Sequence, residues 1–72
     1  MQIGIISKLF HDREYGKIRT KDGEDAHFHK GCLWDVQFRD LTQGQSVEFE
    51  IQPSHSGQMA FHIRPCVKEN LS

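Results

Sequence analysis

At 72 residues the chain has room for one small domain, since domains usually hold about 100–150 residues. With 36% apolar residues its core must be thin, which excludes a large enzyme scaffold with a deep dry pocket, and no apolar run approaches the roughly 20 residues of a membrane span. Nine Lys and Arg against ten Asp and Glu leave a net charge of −1, so the total charge announces no polyanion partner and any basic surface must be local.

The first strand is expected from about Gln2 to His11. Its apolar run breaks strict alternation at Ile5-Ile6 and at Leu9-Phe10, which points to a bulge or to burial on both faces. A polar turn, Asp12-Arg13-Glu14, leads into a second strand from about Tyr15 to Thr20. There Ile18 points one way and Tyr15, Lys17 and Arg19 the other. Asp22-Gly23 is a strong turn signal. The third strand, about Asp25 to Lys30, sets Ala26 and Phe28 on one face and His27 and His29 on the other. A long polar connection from Gly31 to Gly44 carries Cys32, Leu33, Trp34, Phe38 and Leu41, which should tie parts of it down. The fourth strand, Gln45 to Gln52, alternates cleanly, with Val47, Phe49 and Ile51 inward and Ser46, Glu48 and Glu50 outward. Pro53 to Gly57 reads as a loop, and the fifth strand runs from about Gln58 to Arg64. Residues 1–66 form the domain and 67–72 a C-terminal tail; no long helix is expected.

Five short strands must hide their edges. An all-β, five-stranded antiparallel Greek-key barrel of OB type does so best, with an SH3-like barrel as the alternative. Neither a signal-peptide start nor the four or more cysteines of a small secreted domain is present. A cytoplasmic location with Cys32 and Cys66 reduced is therefore expected, a disulfide between them being the alternative.

If the second and third strands form a hairpin around Asp22-Gly23, their outward faces merge into one surface showing Tyr15, Lys17, Arg19, His27 and His29. Flat rings beside cations suit single-stranded nucleic acid, whose bases stack while its phosphates are neutralised. Lys8 and Arg13 extend the basic patch. An ordinary solvated sheet face is the competing reading.

The same residues carry a family resemblance. Gly4-Ile5-Ile6, Tyr15-Gly16-Lys17-Ile18, Asp25-Ala26-His27-Phe28-His29, Phe38-Arg39-Asp40-Leu41, Gln43-Gly44-Gln45-Ser46-Val47-Glu48-Phe49 and Gly57-Gln58-Met59-Ala60-Phe61-His62-Ile63 follow in an order and spacing that resemble a cold-shock domain over about residues 1–65. The resemblance implies a five-stranded barrel that binds single-stranded RNA or DNA, as an RNA chaperone or a regulator of gene expression, with no cofactor and no covalent chemistry. It also exposes departures. Lys8 stands where the family has a platform tryptophan and Phe10 where it has an asparagine. Tyr15 and Lys17 replace the phenylalanines of the first motif, and His27 replaces that of the second. His29 keeps the family histidine, Lys30 replaces the phenylalanine after it, and the loop phenylalanine is retained as Phe38. Core positions Ile6, Ile18, Phe28, Leu33, Val47 and Ile63 stay apolar. The resemblance thus supports the fold more strongly than the usual binding mode.

The candidate nucleic-acid-binding residues are therefore Lys8, Phe10, Arg13, Tyr15, Lys17, His27, His29, Lys30 and Phe38, with Phe38 as a lid contact from the long loop. Stacking is worth about 1–3 kcal/mol per base. Exchanging three rings for lysines trades that for phosphate contacts weakened by salt, so binding should be weaker, more salt-sensitive and less base-selective. Trp34 lies outside the family platform, as a substitute stacking ring or a packing residue of the loop. His27, His29 and Cys32 have a metal-like composition, but no second Cys/His pair has the spacing of a zinc site. A nucleophile would need a positioned base and an oxyanion site in a pocket, which a thin barrel does not offer. No metal, cofactor, catalysis, small-molecule substrate or membrane is expected, and a closed barrel needs no second copy to fold. The competing class is a protein-interaction module on the same barrel, with nucleic-acid binding weakened or lost.

Overall fold

The computed structural model describes residues 2–34, 36–54 and 57–66; the expected tail, 67–72, lies outside them. Five strands, β1 (Gln2–Phe10), β2 (Tyr15–Arg19), β3 (Asp25–His29), β4 (Ser46–Ser54) and β5 (Gly57–Pro65), close into a barrel in the order β1-β2-β3-β5-β4. Four pairings are antiparallel, while β3 and β5 run parallel where the barrel closes. Two 3-10 turns, Lys30–Cys32 and Phe38–Asp40, punctuate the connection between β3 and β4.

Alternation sets the inside of the barrel. Ile6, Ile18, Ala26, Phe28, Val47, Phe49, Ala60 and Ile63 are buried, and Leu33 packs half-buried against them. The broken alternation of β1 resolves as a bulge, with the register to β2 shifting between Ile6 and Lys8. Gly4 and Ile6 point inward before it, and the half-buried Leu9 takes the inward position after it, while Lys8 and Phe10 face out. The Ser7 hydroxyl donates to the Lys17 carbonyl at 3.3 Å across the irregularity. Burial on both faces, the other expectation for this strand, does not occur, because Ile3 and Ile5 are each 43% exposed.

Two glycines let backbone and core rings approach closely. A Cβ at Gly4 would stand 2.6 Å from the Arg19 carbonyl oxygen, and one at Gly16 would stand 2.6 Å from Phe28 Cζ and 2.8 Å from the Lys8 carbonyl oxygen. Gly16 thus allows the Phe28 ring to lie directly beneath β2.

Of the expected Pro53-to-Gly57 loop, Pro53, Ser54 and Gly57 are strand, and residues 55–56 lie outside the described residues. Pro53 pairs with Gln58 and Ser54 with Gly57, so the antiparallel ladder of β4 and β5 reaches the last residue of one strand and the first of the other. Proline can give no ladder N–H, and Pro53 sits one residue from the end of β4, where pairing is about to stop.

Candidate nucleic-acid interface

Strand pairing brings most of the sequence-derived site residues into two rows across β1, β2 and β3. Lys8 pairs with Lys17 and Lys17 with His27; Phe10 pairs with Tyr15 and Tyr15 with His29. Residues two apart on a strand share a face, so the cationic row and the ring row lie side by side. The bulge at Ser7 is what turns Lys8 and Phe10 onto this face.

The rings stack on one another. Phe10 and Tyr15 have centroids 5.6 Å apart at 27°, and Tyr15 and His27 5.8 Å apart at 20°. These separations exceed face-to-face contact, so the three rings form an offset stack, with Phe10 37% exposed at one end. Tyr15 Oη lies 2.6 Å from His27 Nδ1. The phenol donates when His27 carries its proton on Nε2. The Gly31 amide donates to His29 Nδ1 at 3.0 Å, capping the first 3-10 turn. That bond fixes neutral His29 with its proton on Nε2, so Nε2–H is the group this ring offers a ligand.

The cations differ in their surroundings. Lys30 pairs with Glu14 at 3.0 Å and Arg19 with Asp25 at 3.6 Å. Among the described residues, Lys8, Lys17 and Arg13 have no carboxylate within ion-pair distance. Lys8 and Lys17 stand directly opposite each other, an arrangement of like charges that destabilises a sheet unless an anion sits between them.

Phe38 is not on this face. It is 5% exposed, packed 6.1 Å from Phe28 and capped edge-on by His11 at 5.5 Å. The 3-10 turn Phe38–Asp40 drives the ring into the end of the barrel, where burial outweighs a place in solvent. The expectation of an exposed lid ring is corrected accordingly. Cys32 is also buried, so it does not join the two histidines, and the described residues contain no group of three or more potential metal ligands. Both cysteines are free.

Met59 is a member that sequence reasoning missed. It pairs with His27 through the parallel closure and shares with Tyr15, His27, His29 and Phe28 a depression of about 270 Å³. Nothing local in the sequence signals it, because the β3–β5 pairing joins distant segments. A larger cleft of about 730 Å³ lies at the other end of β1, lined by Ile3, Ile5, Arg19 and Lys21 among others; it presents no ring on which a base can stack.

No helix among the described residues is long and apolar enough to cross a membrane. The sequence matches the "'Cold-shock' DNA-binding domain" family over residues 2–66. It is 33% identical over 60 residues to the cold shock-like protein CspLB of Listeria monocytogenes, covering 83% of this chain and 91% of the relative. It is 31% identical over 65 residues to cold shock protein 1 of Lactiplantibacillus plantarum, covering 90% and 98%. A cold shock-like protein of Thermotoga maritima is 38% identical over 50 residues, covering 69% and 76%. The chain belongs to the cold-shock DNA-binding domain family, a nucleic-acid-binding family.

Proposed function

We propose that this cold-shock domain binds single-stranded RNA or DNA across β1, β2 and β3, with phosphates drawn to the Lys8–Lys17 row and bases laid against the Phe10–Tyr15–His27 stack. The observation that carries this reading is the Lys8–Lys17 pair, two cations face to face without a carboxylate partner among the described residues, beside a stack of three rings. A phosphate between the lysines relieves their repulsion. The Nε2–H of His29, and that of neutral His27, donates to phosphate or to a base acceptor. Met59 adds apolar contact where the stack meets β5, and Arg13 extends the basic surface at the turn. Lys30 contributes less, because binding phosphate means sharing it with Glu14.

The rings already lean on one another, so a base gains contact along the edge of the stack and at its Phe10 end. Affinity therefore leans on charge. On this surface the cations Lys8, Lys17 and Arg13, without carboxylate partners among the described residues, give a slope of log K against log salt of about −2 for a single strand. The domain acts as an RNA chaperone or a regulator of gene expression, as a cytoplasmic monomer, without small-molecule substrate, cofactor or covalent chemistry.

An amide NMR titration with short pyrimidine-rich single strands, at low and at physiological salt, tests this reading. Shifts gathered at Lys8, Phe10, Tyr15, Lys17, His27 and His29, fading as salt rises, are expected. A spectrum that does not move at low salt would retire it.

A further inference from the structure

A second cluster of ring and charge sits on β4, β5 and the segment that follows β3. The Trp34 amide donates to the Ile63 carbonyl at 2.7 Å and Leu33 bridges Ile63, which lays that segment along β5. The β4–β5 register shifts between Glu48 and Glu50, which pair with Arg64 and Phe61. There β5 sets two residues, His62 and Ile63, against the single Phe49, and His62 is held at a φ of 54°, a conformation costly for a residue with a Cβ. The distortion leaves Ile63 in the core and both neighbours, His62 and Arg64, exposed. The His62 ring lies 5.4 Å from that of Trp34, and the Arg64 guanidinium lies 5.6 Å over the indole. Even so, Trp34 is 52% exposed, the most exposed large apolar side chain among the described residues.

Charge decides what suits this surface. Arg64 Nε is 3.1 Å from Glu48 Oε1, a completed ion pair. Glu50 has His62 as its one ion-pair contact among the described residues, at 3.5 Å. Whenever that imidazole is neutral, Glu50 is a carboxylate with no cation against it. An indole is the best side-chain acceptor for a cation, and here the indole and that acid both lie against the His62 ring. Phosphate meets two carboxylates at the same place.

We propose that Trp34 and Glu50 form a docking site for an arginine- or lysine-bearing segment of a protein partner, separate from the face across β1, β2 and β3. The incoming cation lies on the open part of the indole and pairs with Glu50, while Arg64 and His62 hold the indole in place. Exposed tryptophan and arginine side by side are the residues that most often anchor protein interfaces.

Trp34 is the chain's one tryptophan, so its emission reports on this cluster alone. The full chain is titrated at low salt with a short unstructured Gly-Arg repeat peptide, with a Gly-Glu repeat of equal length, and with single-stranded oligodeoxythymidine. The Gly-Arg peptide should change Trp34 emission saturably and move the amides of Trp34, Glu50, His62 and Arg64, with the Gly-Glu peptide silent. Glu50→Gln and Trp34→Phe, the latter followed by NMR, should each weaken the peptide about two- to fivefold with unfolding midpoints unchanged. Oligodeoxythymidine should leave Trp34 emission alone. Silence toward the Gly-Arg peptide, or equal affinity in Glu50→Gln, would overturn the proposal. So would a Trp34 response to oligodeoxythymidine in place of the peptide, which would make the cluster a second nucleic-acid contact. If oligodeoxythymidine moves no amide at Lys8 or Tyr15 of the unaltered chain while the peptide response is intact, the proposed function is removed and this site is left standing.

Discussion

The barrel carries ring-and-cation surfaces on two sides, and they differ in how their charges are matched. Across β1, β2 and β3, Lys8 and Lys17 face each other with no acid among the described residues paired to either, beside the Phe10–Tyr15–His27 stack. Across β4 and β5, Arg64 is paired with Glu48, and Glu50 lies against His62, whose ring neighbours that of Trp34. Both set flat rings beside basic side chains, so composition alone does not separate them. The placement of carboxylates does: a polyanion gains on the first surface and is opposed on the second.

The largest expected effect sharpens the boundary of the first surface. Phe38→Ala removes a buried ring and should destabilise the fold by about 3–5 kcal/mol, read by denaturant unfolding. A loss below about 1 kcal/mol would return Phe38 to the exposed face. Tyr15→Ala takes away the middle ring and should weaken single-strand binding by about 1–3 kcal/mol. Tyr15→Phe keeps the ring and loses the bond to His27, so the two variants together separate stacking from hydrogen bonding in a titration. Lys8→Gln or Lys17→Gln should lower the magnitude of the salt slope by about 0.7 each. Either should also raise stability by a fraction of about 1 kcal/mol, because a like-charge cross-strand pair is relieved. The smallest effect tests the contrast itself: Trp34→Phe should leave single-strand affinity and its salt slope unchanged. If it weakens binding as much as Tyr15→Ala does, the two surfaces are one.

Much of the fold is legible from side-chain alternation. Val47 and Phe49 against Glu48, or Ala26 and Phe28 against His27 and His29, state which face is inside. The irregular spacing in β1 signals its bulge for the same reason. Phe38 is not legible, because a lone ring in a polar connection has no period from which to read its direction; its burial depends on a 3-10 turn and on Phe28, far away in sequence. Met59 is hidden because parallel closure leaves no hairpin signal. Pro53 misleads because a proline near the end of a strand looks, locally, like a proline in a loop. The Trp34 cluster needs the His62 distortion and the pairing of Leu33 with Ile63, neither of which the string of residues announces.

The bulge at Ser7 means that β1 is written in two frames. Upstream, even positions Gly4 and Ile6 are core; downstream, the inward position is odd, at Leu9. Pairing Ser7 as an ordinary strand residue would force a choice, since a one-residue slip turns every following side chain over. Either Lys8 and Phe10 enter the barrel, or Gly4 and Ile6 leave it. The unpaired Ser7 thus keeps an apolar core and a basic, ring-bearing face on one continuous strand, and deleting it would leave Ile6, Lys8, Leu9 and Phe10 in plain alternation with their faces unchanged.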